Sequence, residues 1–181
     1  MIRVVVDSIR VSLLTQHRVV VLRETDSRRY LPIWIGPFEA DAIAMAIQGH
    51  EPPRPLTHDL LKSTVQEMGG QISHILVNDI QESTYYARIV VDQQGRTVEI
   101  DARPSDAIAL AVRTDVSIFV AAHVLDQAGV FFDDDEQMTQ EPQITQESEP
   151  ENEPSDDSMS IFRNFINTLD LDDPAKGGEA S

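Results

Sequence analysis

The sequence predicts an α+β fold of two similar β-β-β-α halves, with a mainly antiparallel or mixed sheet and a disordered acidic C-terminal tail. Three observations carry this. An internal repeat divides the first 132 residues: Asp41-Ala-Ile-Ala-Met-Ala-Ile47 matches Asp106-Ala-Ile-Ala-Leu-Ala-Val112 at five of seven positions. Before each copy lie three strand-like runs joined by short polar turns, which favours hairpins over alternating β-α units. Beyond residue 132 the apolar pattern gives way to acidic residues, Gln, Pro and Ser.

In the first half the runs at 2–13, 18–25 and 29–35 read as strands, followed by helices at 37–48 and 57–68. Asp26-Ser27-Arg28 supplies a turn, and Pro32 suggests an edge or a bulge because it cannot donate to a ladder. Pro37 suits a first helical position, and Gly49 suits a stop. Thr57 reads as an N-cap, with Gly69-Gly70 ending that helix. In the second half, strands are expected at 71–81, 84–92 and 96–102, a helix at 104–114, a short strand at 117–120 and a helix at 122–128. Gly95 gives the turn after Gln93-Gln94 the residue a tight hairpin favours. Even the first strands look alike, Val6-Asp-Ser-Ile9 against Val77-Asn-Asp-Ile80. Ser105 reads as an N-cap, with Asp106 near the positive end of the helix dipole.

The two repeat helices are apolar nearly all round, so each is expected to be buried on several sides. Their alanines allow close backbone approach. Two readings follow: a central helix pair within one chain, or a subunit interface and hence a homo-oligomer.

Four segments result. Residues 1–132 form the domain, 133–158 a disordered acidic linker, 159–174 a short amphipathic helix and 175–181 a disordered terminus. In the short helix Ile161, Phe162, Phe165, Ile166 and Leu169 form one stripe, with Ser160 as cap and Pro174 beyond the end.

The chain has 181 residues and no cysteine, which excludes disulfides, thiolate zinc sites and cysteine nucleophiles. Its start alternates and meets Asp7 too soon for a signal peptide, and no apolar run approaches the ~20 residues of a membrane helix. A cytoplasmic protein without membrane contact is expected. Net charge is -17, and its location gives it meaning. Residues 1–132 hold 12 Lys and Arg against 16 Asp and Glu, a net -4; residues 133–181 hold 2 against 15, a net -13. A nearly balanced domain with one lysine, Lys62, is poor material for a broad phosphate-binding surface, so any nucleic-acid contact must rest on local arginines.

Three stretches carry a resemblance: Leu31-Pro-Ile-Trp-Ile-Gly-Pro-Phe-Glu-Ala-Asp41, Arg54-Pro-Leu-Thr-His-Asp-Leu-Leu61 and Asp101-Ala-Arg-Pro-Ser-Asp-Ala-Ile-Ala-Leu-Ala111. They resemble the hallmark segments of the bifunctional nuclease family, and Val124-Leu-Asp-Gln-Ala-Gly-Val130 fits its closing segment. The resemblance spans about residues 2–130, in order, and implies action on both DNA and RNA.

Phosphodiester hydrolysis commonly uses carboxylates that hold Mg²⁺ or Mn²⁺, a base and a cation near the phosphate. Glu39 and Asp41 fall in the first turn of one repeat helix, while Asp101, Arg103 and Asp106 bracket the start of the other. A pseudo-twofold between the halves would bring both helix starts to one crevice. Glu39, Asp41 and Asp106 are then the candidate metal ligands, and Arg103 the phosphate contact. His58 is the candidate general base, and Arg54 a second substrate-binding residue. The plainer reading stays open: first-turn acids are ordinary dipole partners, Arg103 pairs with Asp101 or Asp106, and His58 bonds a loop carbonyl. No histidine pair shows zinc-ligand spacing, and no glycine-rich phosphate loop, nucleophile elbow or dinucleotide fingerprint is present. Trp34, in a strand, reads as core rather than as a base-stacking platform.

Overall fold

The computed structural model describes residues 1–11 and 17–131. The expected segments at 133–158, 159–174 and 175–181 lie outside these residues, as do positions 12 and 13 of the first strand. The chain runs β1 (Ile2–Val11), β2 (Arg18–Glu24), β3 (Arg29–Ile35), α1 (Pro37–Ile47), α2 (Thr57–Glu67), β4 (Gly70–Gln81), β5 (Thr84–Gln93), β6 (Arg96–Ala102), α3 (Pro104–Thr114), β7 (Ser117–Val120), α4 (Ala122–Ala128) and β8 (Val130–Phe131). The α+β class and the order of elements follow the sequence reading. The addition is β8, whose two residues are too few to display a period.

All strands join one sheet in the order β6-β5-β4-β7-β1-β2-β3-β8. Outward from β7, one side reads β4-β5-β6 and the other β1-β2-β3. β7 runs parallel to β4 and antiparallel to β1, so the two triplets run in opposite senses, as a twofold axis normal to the sheet requires. The repeat extends to an irregularity: the ladder slips between Val6 and Ser8 in β1 and between Val77 and Asp79 in β4. Both slips fall at the same place in the paired Val6–Ile9 and Val77–Ile80 segments, which marks a bulge built into each half.

Pro32 sits where its ring does no harm. It lies opposite Val21 of β2, and β8 reaches β3 only at Arg29 and Tyr30. The Pro32 carbonyl turns away from β2 and accepts the Tyr85 hydroxyl at 3.2 Å, so the absent N–H also faces the open edge. Trp34 departs from expectation. It is 44% exposed, with His17 edge-on to it at 5.6 Å, because the alternation that buries Leu31 and Ile33 turns Trp34 to the other face.

Helix α3 packs on β4, β5, β7, α1 and α2, and every residue from Ala107 to Ala111 is buried. Helix α1 contributes Ala40, Ala42 and Ile43 to the interior. The two alanine-rich helices pack on each other within one chain, but only α3 is enclosed on several sides; α1 leaves Phe38, Asp41 and Ile47 exposed, against the expectation from its composition. Two cap assignments shift. Proline at the first helical position fixes the start of α3, so Arg103 precedes it as N-cap and Ser105 lies inside. Thr57 likewise is the first residue of α2; Leu56 precedes it and donates its N–H to Asp59 Oδ2 at 2.9 Å. Among the described residues no helix is long and apolar enough to cross a membrane.

Candidate functional site

Helices α1 and α3 begin the same way. Gly36 and Arg103 are their extended N-caps, Pro37 and Pro104 follow at the first position, and Glu39 and Asp106 occupy the third. The pseudo-twofold brings these starts together, and α2 adds its own first turn through His58. Arg103 joins them: its Nη2 donates to Glu39 Oε1 at 2.7 Å, and its Nε and Nη2 donate to Asp106 Oδ2 and Oδ1 at 2.7 and 3.1 Å. The Asp106 contact is the two-pronged pairing that a planar guanidinium makes with a carboxylate. From the other side His58 Nε2 approaches Asp106 Oδ1 at 3.2 Å; since the carboxylate only accepts, Nε2 carries the proton.

Burial orders the four groups. His58 is buried, Glu39 and Asp106 are partly covered, and the Arg103 side chain is 67% exposed. Burial pulls the Asp106 carboxyl upward, but hydrogen bonds from Arg103 and His58 outweigh it and hold the group below the ordinary carboxylate range. The bonds to Asp106 and Glu39 raise Arg103 further above its already high range. At neutral pH the site is therefore a fixed carboxylate–guanidinium pair facing solvent with a histidine behind it.

Gly36 makes the Glu39 position possible. Its φ of -71° suits any residue, but a Cβ there would collide with the Glu39 carboxylate, which folds back over the N-cap.

Of the residues singled out in the sequence, Glu39, His58, Arg103 and Asp106 come together. Asp41 does not: it lies two residues further along α1, its side chain is 62% exposed, and it pairs with Arg18 at 3.8 Å. Arg54 is exposed on the loop before α2 and makes no contact with the four. Asp101 pairs with Arg88 at 3.1 Å, so Arg103 has Asp106 and not Asp101 as its partner. Glu39 and Asp106 are hard oxygen donors of the kind Mg²⁺ or Mn²⁺ takes. Among the described residues, however, no three His, Asp or Glu side chains are placed to hold an ion, and Arg103 already pairs with both acids. The side chains as arranged do not form a cage for a divalent cation.

One polar centre was not read from the sequence. The Arg113 side chain, 7% exposed, donates to Asp59 Oδ1 at 2.8 Å and to the carbonyls of Ala109 and Ala42 at 2.8 and 2.9 Å. It ties α1, α2 and α3 together one turn and more below the site. A cleft of about 480 Å³ between these helices and the 48–56 loop has His50, Glu51, Asp59 and Arg113 in its lining. With its arginine so committed and no lysine in the lining, the cleft offers little to a phosphate.

A sheet with inward repeat twofold, whose two helix starts are bridged by a solvent-facing arginine, defines the class as a pseudo-symmetric α+β domain with one polar site at its axis. Residues 20–133 match the family model described as the bifunctional nuclease domain. The chain belongs to the bifunctional nuclease domain family. An uncharacterized protein of Mycobacterium tuberculosis is 39% identical over 165 residues, covering 91% of this chain and 93% of that protein. The protein named bifunctional nuclease 1 of Oryza sativa subsp. japonica is 28% identical over 107 residues, 58% of this chain and 32% of its own length. Bifunctional nuclease 2 of Arabidopsis thaliana is 25% identical over 166 residues, 85% of this chain and 50% of its own.

Proposed function

We propose that this protein hydrolyses phosphodiester bonds of DNA and RNA at the Glu39–Arg103–Asp106–His58 cluster. The observation that carries the reading is the meeting of these four side chains from three separate segments: Glu39 and Asp106 on a solvent-facing Arg103, and His58 on Asp106. Arg103 is the group that meets the phosphate: an exposed guanidinium matches two phosphate oxygens as it matches Asp106. Water attacks phosphorus, its proton passes to His58 at Nδ1, since Nε2 already donates to Asp106, and the ester P–O bond opposite breaks, with the leaving alkoxide taking a proton from solvent. Glu39 competes with the phosphate for Arg103 and so tunes its release. Mg²⁺ or Mn²⁺ enters the proposal only as an ion brought by the substrate: Glu39 and Asp106 would be its protein donors once Arg103 left them for the phosphate, and the ion would supply charge withdrawal from a phosphoryl oxygen.

The test is cleavage of fluorescent single-stranded DNA and RNA with Mg²⁺, Mn²⁺ or EDTA, comparing wild type with identically purified Asp106→Ala. Loss of at least about a hundredfold in rate in a folded variant is the expected result. Equal rates in both proteins would remove the cluster from the reaction.

A second reading, a non-catalytic oligomeric interaction domain, is favoured by α2. Its inward side carries His58, Asp59 and Lys62, while Leu60, Leu61 and Met68 are exposed. An outward apolar side suits a partner surface. Light scattering after size exclusion decides: Leu60→Glu should convert an oligomer to a monomer, and a wild-type monomer at micromolar concentration would end this reading.

A further inference from the structure

Phe38 has no place in the interior. At 83% exposure it is the most exposed large apolar side chain among the described residues, and it sits in the first turn of α1 between Pro37 and Glu39. Phe38 and Glu39 are consecutive in the first turn of α1, their Cα atoms about 3.8 Å apart, and Glu39 holds Arg103. A phenyl ring left in water forgoes the stabilisation that burial would give it. A flat apolar face one residue from the acid that holds a solvent-facing guanidinium offers a partner to each half of a nucleotide. A base has a π-face to stack, and its phosphate has oxygens to pair. One turn on, Asp41 would repel a phosphate approaching from that side, but Arg18 pairs with it at 3.8 Å, which leaves the Arg103 side as the attractive one.

We propose that Phe38 is the base-stacking platform of the site: a base of single-stranded RNA or DNA lies on its ring while the adjoining phosphate meets Arg103. This rests on the nuclease reading above and adds how the substrate is held. A duplex keeps its bases stacked on one another, so the contact is open to single strands and to frayed ends.

The experiment uses the full chain and three fluorescently labelled oligonucleotides of equal length: a single strand, its duplex, and a strand of abasic sites with the same phosphates and no bases. Binding is read by anisotropy and cleavage by gel. Phe38→Ala should weaken single-strand binding roughly five- to a hundredfold, the range of one lost base–aromatic stack. Phe38→Trp should restore it, and the abasic strand should not distinguish the variants. Because the ring is exposed, the melting temperature of Phe38→Ala should match wild type. If wild type binds and cleaves while Phe38→Ala behaves identically on all three, the stacking role is overturned and the nuclease reading survives. If wild type neither binds nor cleaves any of them, both fall together.

Discussion

At the scale of single residues the site is an arrangement of charges that can be taken apart one atom at a time. Gly36→Ala adds only a methyl group, and the extended N-cap tolerates it. That methyl occupies the place of the Glu39 carboxylate, so Glu39 must swing off Arg103. The expected outcome is little change in stability, within about 1 kcal/mol by thermal melting, and, on the proposed nuclease reading, tighter phosphate binding at an Arg103 released from Glu39. Arg103→Lys keeps the charge and loses the fork that spans both Asp106 oxygens, so it should behave like Arg103→Ala in cleavage rather than like wild type. The pH response has a fixed sign. The Asp106 carboxyl lies below its ordinary value in the folded chain, so its contribution to stability is complete above about pH 4 and drains as pH falls through the lowered value. Asp106→Asn should flatten that acid limb in urea melts recorded between about pH 2 and 5.

At the scale of elements, what was legible and what was not divides along one line. Strands and helices declared themselves through local patterns: alternation, the Gln94-Gly95 turn with φ of 52° and 80°, and a proline at the start of α1 and of α3. Glu39, His58, Arg103 and Asp106 were legible because each lies within three residues of a helix beginning. Asp41 was misread for a definable reason. The repeat aligns Asp41 with Asp106 by motif, but α1 begins two residues earlier in that alignment than α3 does. Position within the helix decides which acid faces Arg103, and there Glu39, not Asp41, corresponds to Asp106. Arg113 was illegible because a basic residue in a last turn looks like a dipole partner until the packing shows it buried. Its depth predicts a contrast. Asp59→Ala leaves a buried guanidinium without its carboxylate and removes the acceptor for the Leu56 N–H, and should cost roughly 3 kcal/mol in chemical denaturation. Asp101→Ala breaks an exposed pair with Arg88 and should cost less than about 1 kcal/mol. Similar losses would mean that Arg113 finds other acceptors.

At the scale of the whole domain, one hydrogen bond reports how the sheet closes. β5 and β3 are separated by β4, β7, β1 and β2, a span of about 24 Å in a flat sheet at ~4.8 Å per strand. Yet the Tyr85 hydroxyl of β5 reaches the Pro32 carbonyl of β3 at 3.2 Å, and α4 touches both β3 and β4. The sheet must therefore curl strongly, and its twist brings its two sides within reach of each other. Burial pushes the Tyr85 phenol up to about 12. A group with a raised folded value contributes stability that is whole below its unfolded value of about 10 and is lost as pH rises through the folded one. Wild type should accordingly lose stability between about pH 10 and 12 as a buried phenolate becomes unavoidable. Tyr85→Phe keeps the ring and removes both the bond to Pro32 and the titrating proton. At pH 7 it should be weaker by about 1 kcal/mol, the net worth of one hydrogen bond and the low end of what a buried carbonyl left unpaired costs. Above pH 11 the order should reverse, with the phenylalanine variant the more stable in urea melts. A wild type and variant that decline in parallel across this range would mean that Tyr85 is already solvated, and that the curl is held by α3 and α4 without it.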